Sequence, residues 1–391
     1  MTRTSIQSLD YLNTARRVVI KVGSALLVDA DGGLRGDWLN ALAEDLAHLH
    51  ARGCAIVVVS SGAIAFGRKM MGIAPKRMKL SEKQAAAAIG QIRLSTEWQQ
   101  AMARHHLNTA QILLSPDDTE TRRRHLNARA TLMTLLDRQI IPVVNENDTV
   151  ATAEIRYGDN DRLAARVAQM ISADVLILLS DIDGLYTGDP KSDPNATLVP
   201  QVTTITPDIL AMAGPAKHEY SSGGMVTKLE AARIATSAGC HMVICNGGAA
   251  HPVQRVLDGG DCTWFKASHQ PLQARKTWID GGLTPKGIIF VDDGAKSALI
   301  RGKSLLAAGI TSIDGHYDKG DLVAIATTKG VTIARGLTRY SAADIQRIAG
   351  HNSGEIETIL GYRDHDEVIH ADDLVLDMAA RHPGKPDRED T

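Results

Sequence analysis

Two lysines lie beside glycine turns, where an ammonium group can meet a phosphate. Lys21 ends an apolar run and is followed by Gly23-Ser24, and Lys228 comes shortly after Gly223-Gly224. Glycine turns expose backbone N–H groups without a Cβ in the way, which suits phosphate binding. Lys228 also falls in the first turn of a predicted helix, where the helix dipole disfavours a cation, so its position indicates an anion that offsets this effect. Each pattern alone is weak, because such turns are more often surface features.

The stretch 145–161 is crowded with carboxylates and carboxamides. It follows the apolar run 140–144, which has the β-branched content of a buried strand, and precedes a predicted helix at 162–170 with its acidic cap at 159–161. In open α/β sheets, small molecules bind at the carboxyl tips of strands. The alternative is a polar loop rich in turn formers. Its acidic residues and asparagines are Glu146, Asp148, Glu154, Asp159, Asp161, Asn145, Asn147 and Asn160.

Four predicted strands end in polar residues, at 21–24, 60–63, 145–148 and 180–181. Parallel strands place their carboxyl ends on one side of a sheet, so these groups are expected to converge. Ser61 could be a helix N-cap or part of a cradle for a carboxylate or phosphate, and the segment alone leaves both open. The chain has neither a Walker A motif nor a G-x-G-x-x-G motif. Two lysines flanking a nucleotide would supply the charge stabilisation that phosphoryl transfer needs.

Apolar runs alternate with helical patterns over residues 17–246, which predicts an α/β fold with a largely parallel sheet covered on both faces. Residues 119–138 are predicted to form one helix, whose Arg122-Arg123-Arg124 run reads as a solvated face. After 275, short β-like runs separated by glycine turns predict a second, mostly β domain. The predicted organisation is a lead-in at 1–16, a first domain at 17–275, a second at 286–364 and a disordered tail at 381–391.

The composition excludes several classes of protein. Hydrophobic residues make up 44% and charged residues 23% of the chain, and the net charge is −2. These are values of a globular protein without a bulk attraction for nucleic acid or anionic membranes. The four cysteines lack zinc spacing, and Cys54, Cys240 and Cys245 read as buried free thiols in a reducing compartment. Neither a signal core nor a membrane-length apolar run is present, so a cytoplasmic protein without a membrane partner is expected.

Six motifs in order resemble those of the glutamate 5-kinases in the amino acid kinase family. They are Ile-Lys-Val-Gly-Ser around residue 22, Ser-Gly-Ala-Ile-Ala from Ser61, Asn-Glu-Asn-Asp from Asn145, Gly-Asp-Asn-Asp from Gly158, Asp-x-x-Gly-Leu-Tyr-Thr from Asp181 and Gly-Gly-Met-x-Thr-Lys from Gly223. The C-terminal part, with Val291-Asp-Asp-Gly-Ala and Arg347-Ile-Ala-Gly, is similar to a PUA domain. The resemblance implies an αβα sandwich of the amino acid kinase type plus a small mostly-β PUA domain. Serine stands at 60, 180 and 222, where the family more often has threonine, which keeps the hydroxyl.

The resemblance also implies roles for individual residues. Lys21 and Lys228 would contact the nucleotide phosphates, and Asp161 would hold both lysines in place. The glutamate substrate would be bound by Ser61, Asp148 and Asn160. The remaining residues implied at the ATP site are Ser180, Asp181, Ser222, Gly223, Gly224, Met225, Val226 and Thr227.

The implied reaction is ATP-dependent phosphorylation of the side-chain carboxylate of L-glutamate, the first step of proline biosynthesis, with proline as a feedback inhibitor. The family is typically oligomeric, so a homo-oligomer, dimer or tetramer, is expected. The residue types agree with this chemistry. A glutamate side chain, with a reference pKa of about 4.3, is already ionised at neutral pH, so the nucleophile needs no general base. Mg²⁺ is expected to bind through ATP phosphates and water rather than through a protein ligand cage.

Two alternatives remain at this point. The first is another small-acid kinase of the same fold, for acetylglutamate, aspartate or carbamate, although the C-terminal domain and the Gly-Asp-Asn-Asp segment argue against it. The second is an RNA-binding or RNA-modifying protein, because PUA domains often contact RNA. Residues 286–364 carry 10 Lys/Arg against 9 Asp/Glu and so lack a basic footprint. Nucleic acid is therefore not expected as a partner.

Overall fold

The computed structural model describes residues 10–29, 32–73, 78–150, 160–214, 224–271, 273–274, 276 and 284–377. Its internal contacts divide the chain into unit 1, Met1–Pro271, and unit 2, Leu272–Thr391. The predicted domain boundaries stay a prediction. Most of the lead-in and the whole tail at 381–391 lie outside the described residues.

Unit 1 is built on an eight-stranded sheet. Its strands are β1 Arg17–Val22, β2 Ala55–Ser60, β3 Thr109–Leu114, β4 Ile141–Glu146, β5 Val175–Ser180, β6 Gln201–Val202, β7 His241–Asn246 and β8 Cys262–Phe265. The order across the sheet is β3-β4-β2-β1-β5-β7-β8-β6. The first six strands in that order are parallel, and β8 runs antiparallel to β7. The predicted α/β class with a parallel-dominated sheet is confirmed, while the antiparallel edge was not foreseen.

Helices cover both faces of this sheet, because alternate strand residues point to opposite sides. The helices of unit 1 are α1 Ser24–Leu27, α2 Gly36–Ala51, α3 Ala63–Met70, α4 Leu80–Ala103, α5 Pro116–Glu120, α6 Arg122–Asp137, α7 Asn160–Ile171, α8 Pro207–Ala211, α9 Met225–Ser237 and α10 Pro252–Leu257. Ile20 packs with residues of α2, α3 and α4, whereas Val19, the residue before it, packs with residues of α6, α7 and α9. In the described part of the chain, no helix is both long and apolar enough to cross a membrane.

The prediction of one helix over 119–138 is wrong. Thr121 has φ −76° and ψ 117°, an extended conformation that separates α5 from α6. Ser115 caps α5 through a reciprocal contact in which the backbone N–H of Ser115 donates to the Asp118 carboxylate at 2.7 Å. Arg124 lies 3.4 Å from Asp118 with 57% of its side chain exposed, consistent with a solvated position.

The three predicted buried cysteines, Cys54, Cys240 and Cys245, are buried free thiols. Burial raises the pKa of Cys54 to about 12, so this thiol stays protonated and unreactive at neutral pH.

Helices α3 and α4 cross at two glycines. A Cβ on Gly90 would lie 1.8 Å from the backbone oxygen of Ala63, and one on Gly67 would lie 1.8 Å from that of Ala86. The Ala-rich middle of α4, residues 85–88, therefore packs partly against its own chain. This contact sets the position of α3, whose N-terminus follows Ser61-Gly62.

Unit 2 has its own core and two small sheets. The larger sheet has the order β11-β9-β12-β13-β15, and β10 pairs with β14. Its strands are β9 Gly287–Val291, β10 Leu305–Leu306, β11 Ile310–Gly315, β12 Leu322–Thr327, β13 Thr332–Leu337, β14 Glu367–Ile369 and β15 Leu374–Leu376, with helices α11 Asp293–Ile300, α12 Ala342–Ile348 and α13 Ile356–Leu360. Tyr340 is 1% exposed in this core. The second region is mostly β, as the sequence predicts.

Gly90→Ala should destabilise unit 1 by about 3 kcal/mol, because the added methyl forces two helix backbones apart. At an uncrowded helix position the same change would instead stabilise the protein by about 1 kcal/mol. The sign of the change in the free energy of unfolding therefore tests the close contact. Thermal or urea unfolding measures the effect.

The matched control is Gly354→Ala, where a Cβ meets nothing within 4 Å. We expect it to change stability by less than about 0.5 kcal/mol. Equal midpoints for the two variants would contradict the close helix crossing.

Candidate active site

The four polar strand ends lie side by side in the sheet. Strands β4, β2, β1 and β5 are consecutive neighbours, and Val22 of β1 is level with Ser60 of β2 and Leu179 of β5. The chain leaves β1 towards β2 and leaves β5 towards β7, so the order reverses between β1 and β5. Crevices at such a reversal are where open α/β sheets bind ligands.

A single carboxylate joins the two candidate lysines at this edge. Lys21 Nζ lies 2.5 Å from Asp161 Oδ1, and Lys228 Nζ lies 3.0 Å from Asp161 Oδ2. Asp161 is fully buried, and the side chains of Lys21 and Lys228 are 8% and 10% exposed. Lys21 comes from β1, Asp161 from the first turn of α7 and Lys228 from the first turn of α9. The sheet and two helices of one face therefore bring together three residues that are distant in sequence.

Electrostatics fix the charge state of this triad. Burial is the largest influence on Asp161 and by itself raises its pKa, but the charges of Lys21 and Lys228 more than offset it and hold the pKa at about 2. Asp161 is therefore ionised at neutral pH. Two ammonium groups on one carboxylate give the triad a formal charge of +1, which favours an anion at this edge of the sheet.

The anion that the position of Lys228 indicates is supplied first by the protein. A cation in the first turn of α9 opposes the helix dipole, and the Asp161 carboxylate offsets this from within the chain. Thr227 adds to the arrangement, because its hydroxyl lies 3.3 Å from Asp161 Oδ2 and 2.9 Å from the backbone oxygen of Gly224. The sequence reasoning attributed the offset to a bound anion alone, and the structure corrects this.

Next to the triad, Asn160 links two strand ends, those of β2 and β4, through its carboxamide. Its Nδ2 lies 2.8 Å from Ser61 Oγ, 2.8 Å from Asn145 Oδ1 and 3.2 Å from the backbone oxygen of Ser60. An amide has two N–H donors, so these three acceptors hold the side chain in one orientation. Asp148 is half-buried in the turn directly after β4. The residues expected to bind the amino-acid substrate thus lie at the β2 and β4 side of the edge.

The residues expected at the ATP site lie at β5 and α9. Ser180 ends β5 and is 6% exposed, and its hydroxyl donates to Asp181 Oδ1 at 3.2 Å, while Asp181 is exposed. Gly224, Met225 and Val226 open α9, and Val226 is 36% exposed. Ser222 and Gly223 lie outside the described residues, so their predicted roles stay predictions.

Comparisons with known proteins agree with this geometry. The sequence profile of the amino acid kinase family matches residues 16–246, and that of the PUA domain matches residues 287–360. The chain belongs to the amino acid kinase family. It is 56% identical over 367 residues to the glutamate 5-kinase of Paramagnetospirillum magneticum, covering 94% of this chain and 99% of that protein. It is 54% identical over 376 residues to the glutamate 5-kinase of Gluconobacter oxydans, covering 96% and 100%. The family resemblance seen in the motifs is confirmed.

The structure of this amino acid kinase adds residues that the sequence reasoning missed. Asn145 Nδ2 donates to Gln91 Oε1 at 2.8 Å, and the indole Nε1 of Trp98 donates to Ser60 Oγ at 2.9 Å. Both partners lie on α4, where Gln91 and Trp98 face inward. The sequence marks Gln91 only as a glutamine on the buried, Ala-rich face of a long helix, and Trp98 looks like an ordinary core residue.

Acid should weaken the folded state of this kinase through Asp161. Because its pKa is depressed in the folded state, Asp161 contributes stability above its unfolded pKa, near 4, and this contribution is lost as the pH falls towards about 2. Urea unfolding midpoints measured between neutral pH and pH 2 should show this loss.

Asp161→Asn isolates the effect. The variant should be less stable at neutral pH, because two buried ammonium groups lose their shared carboxylate. The difference from the unsubstituted protein should then shrink below about pH 4. A difference that stays constant with pH would show that Asp161 is not ionised by this pair.

Proposed function

We propose that this amino acid kinase transfers the terminal phosphoryl group of ATP to the side-chain carboxylate of L-glutamate, giving L-glutamate 5-phosphate, the first step of proline biosynthesis. The observation that carries the proposal is the buried Lys21–Asp161–Lys228 triad at the crevice between β1 and β5. Nearly full-length similarity to glutamate 5-kinases supports the choice of acceptor. Acetylglutamate, aspartate and carbamate kinases remain the alternatives to be tested.

The triad provides what the transfer requires. The acceptor carboxylate and the ATP tail are both anions, so the barrier includes their mutual repulsion. Ammonium groups at fixed positions stabilise the charge on the moving phosphoryl group without rearranging during the step. Asp161 acts by holding both lysines, so that Lys21 and Lys228 lie on the same edge when the substrates bind. The acceptor is already ionised, and no side chain has to remove a proton.

The neighbouring amide cluster suits the amino-acid end of the acceptor. Ser61 and Asn160 form a hydrogen-bonded pair at 2.8 Å and present polar groups beside the triad. Asp148, an acidic residue in the turn after β4, supplies acceptors for the α-ammonium group. We assign substrate binding to these three residues.

A divalent cation fits this site as part of the nucleotide rather than as a protein-bound ion. Among the described residues, no group of three or more His, Cys, Asp or Glu side chains could hold a metal. The ionised Asp161 is already engaged by two lysines. We infer that Mg²⁺ is carried by the ATP phosphates and water, with the exposed Asp181 after β5 as a candidate for a water-mediated contact.

Three further properties belong to the same proposal, on the strength of the family resemblance. Proline inhibits by competing at the glutamate site, the protein is a cytoplasmic homo-oligomer, and unit 2 is a PUA domain near residues 286–364. Proline titration of the activity and light scattering test the first two.

The reaction is tested by incubating the protein with ATP, Mg²⁺ and hydroxylamine. Hydroxylamine traps an acyl phosphate as a hydroxamate, so product should form with L-glutamate and not with acetylglutamate, aspartate or carbamate. Nucleotide turnover should depend on L-glutamate. Equal hydroxamate from another acid would replace the proposed substrate, and none from any acid would reject the reaction class.

Lys228→Ala should lower kcat by about a hundredfold or more, because it removes a charge that acts on the transferred group. Circular dichroism should show a retained fold, since Asp161 keeps Lys21 as a partner.

The matched control is Lys319→Ala, which removes an ion-paired lysine of unit 2, 2.7 Å from Asp364. Its kcat should be unchanged within about twofold, as expected for an exposed ion pair. Unchanged turnover in Lys228→Ala would remove that residue from the mechanism.

Asp148→Asn should raise the KM for L-glutamate about tenfold to a hundredfold while changing the KM for ATP little. Removing the charge weakens only the contact with the α-ammonium group. Steady-state kinetics with each substrate varied in turn measure both constants. An equal rise in the two constants would count against a contact with the amino group.

A further inference from the structure

Two glycine turns flank the end of β5, and the second contacts α1, the short helix that follows the first. The turn Gly23-Ser24 follows β1, and the turn Gly247-Gly248 follows β7, with β5 between these strands. A Cβ on Gly247 would lie 2.6 Å from Leu26 Cδ1 and 2.9 Å from Leu179 Cβ. The N–H of Gly247 also donates to the backbone oxygen of Ser180 at 2.8 Å. The backbone of the second turn therefore packs against both α1 and the end of β5.

Two residues at the start of α2 hold these turns together. The buried indole Nε1 of Trp38 donates to the backbone oxygens of Gly247 at 2.7 Å and Ala249 at 3.1 Å. The guanidinium of Arg35 donates to the backbone oxygens of Leu26 and Gly248, each at 3.1 Å. Because Leu26 lies in α1, Arg35 bridges the helix after β1 and the turn after β7. The Arg35 guanidinium lies 5.8 Å from the centre of the Trp38 ring, so the two side chains support each other.

A third residue of α2 fixes the far end of the same loop. The buried carboxylate of Asp45 accepts hydrogen bonds from the backbone N–H groups of Val253 at 2.9 Å and Gln254 at 3.2 Å, at the start of α10. It also lies 2.9 Å from His251 Nδ1. The loop 247–254 is thus held at both ends by one helix, which leaves its backbone little freedom.

The opposite side of the edge has a counterpart in α4. The indole of Trp98, which is fully buried, donates to Ser60 Oγ, and the backbone oxygen of Ser60 is one of the acceptors of Asn160. Both tryptophans therefore donate a buried indole N–H to the end of a strand or the turn after it. Trp38 acts on the β5 and β7 side, and Trp98 acts on the β2 and β4 side.

We propose that Trp38, with Arg35, is a positioning residue for the nucleotide, and that Trp98 is a positioning residue for the amino-acid acceptor. Each acts through backbone or hydroxyl groups at the carboxyl edge of the sheet and touches no substrate. The inference rests on the proposed function, because it places ATP at β5 and the acceptor at β2.

The test uses phenylalanine substitutions in the full chain, which keep an aromatic ring and remove only the indole N–H and part of the volume. Trp38→Phe should raise the KM for ATP about fivefold to twentyfold, since a buried carbonyl loses its donor and the turn loosens. The KM for L-glutamate should change by less than about twofold. Trp98→Phe should show the reverse selectivity.

The matched control is Trp264→Phe in β8, a buried tryptophan at the antiparallel side of the sheet. It should lower stability to a similar degree while leaving both KM values unchanged. Arg35→Gln removes the guanidinium without opening the core. If Trp38→Phe folds poorly, this variant still tests the contacts between Arg35 and the backbone oxygens of Leu26 and Gly248. Its effect should also fall on the KM for ATP.

Calorimetric binding of a non-hydrolysable ATP analogue, in the absence of glutamate, gives a readout independent of turnover. Its Kd should rise in Trp38→Phe and Arg35→Gln and stay unchanged in Trp98→Phe and Trp264→Phe. If the unsubstituted protein forms no glutamyl hydroxamate, the proposed function fails. If it does, and Trp38→Phe and Trp98→Phe change the two KM values in the same ratio, the division between the tryptophans is overturned.

Discussion

The site depends on one buried carboxylate shared by two ammonium groups. A fully buried aspartate is unfavourable unless it is paired, and a buried lysine is unfavourable for the same reason. Lys21 and Lys228 are therefore tolerated inside the protein because both contact Asp161. Removing Asp161 leaves two ammonium groups without a partner, whereas removing either lysine leaves an ion pair, so the carboxylate holds β1, α7 and α9 in place and its second lysine makes the site positive for an anion. Folding and function rest on one electrostatic arrangement.

The sheet order makes this arrangement possible. β1 lies at the centre of the parallel strands, and α7 and α9 cover the same face, where Val19 and its neighbours pack. Because the carboxyl end of β1 has β2 on one side and β5 on the other, two kinds of ligand can approach one lysine from opposite sides. The amide cluster around Asn160 occupies the first side, and Ser180 with the start of α9 occupies the second. In the proposed reaction, the reversal of strand order thus separates acceptor from donor while the triad remains common to both.

The sequence predicts the strands and their polar ends well, because parallel strands are continuous apolar runs and their ends are abrupt. It also predicts roles for Lys21, Asp161 and Lys228, through motifs that resemble a known family, and the resemblance implies that Asp161 holds both lysines. The residue pattern alone does not reveal this contact, since Lys228 lies 67 positions from Asp161 and only packing brings it near. Gln91, Trp98 and Trp38 are missed for another reason: inside a helix with regular apolar spacing, a residue that binds a strand end looks like any core residue. The break at Thr121 is missed because a single extended residue leaves the helical periodicity on either side intact.

We propose that Asp161 helps catalysis because it orders the two lysines before the substrates bind. A lysine stem carries about 2 kcal/mol of rotamer entropy, which is lost whenever the ammonium group is fixed. In the proposed reaction, Asp161 has already fixed Lys21 and Lys228 during folding, so binding of the nucleotide does not have to order them again. Preorganised charge of this kind stabilises a transition state without reorganisation at the moment of reaction. The hydrogen bonds from Trp38 and Trp98 extend the same principle to the backbone, because they fix the strand ends on either side of the triad before any substrate is present. The rigid edge of the sheet and the two aligned ammonium groups therefore have the same origin, because the free energy of folding positions both before any ligand binds.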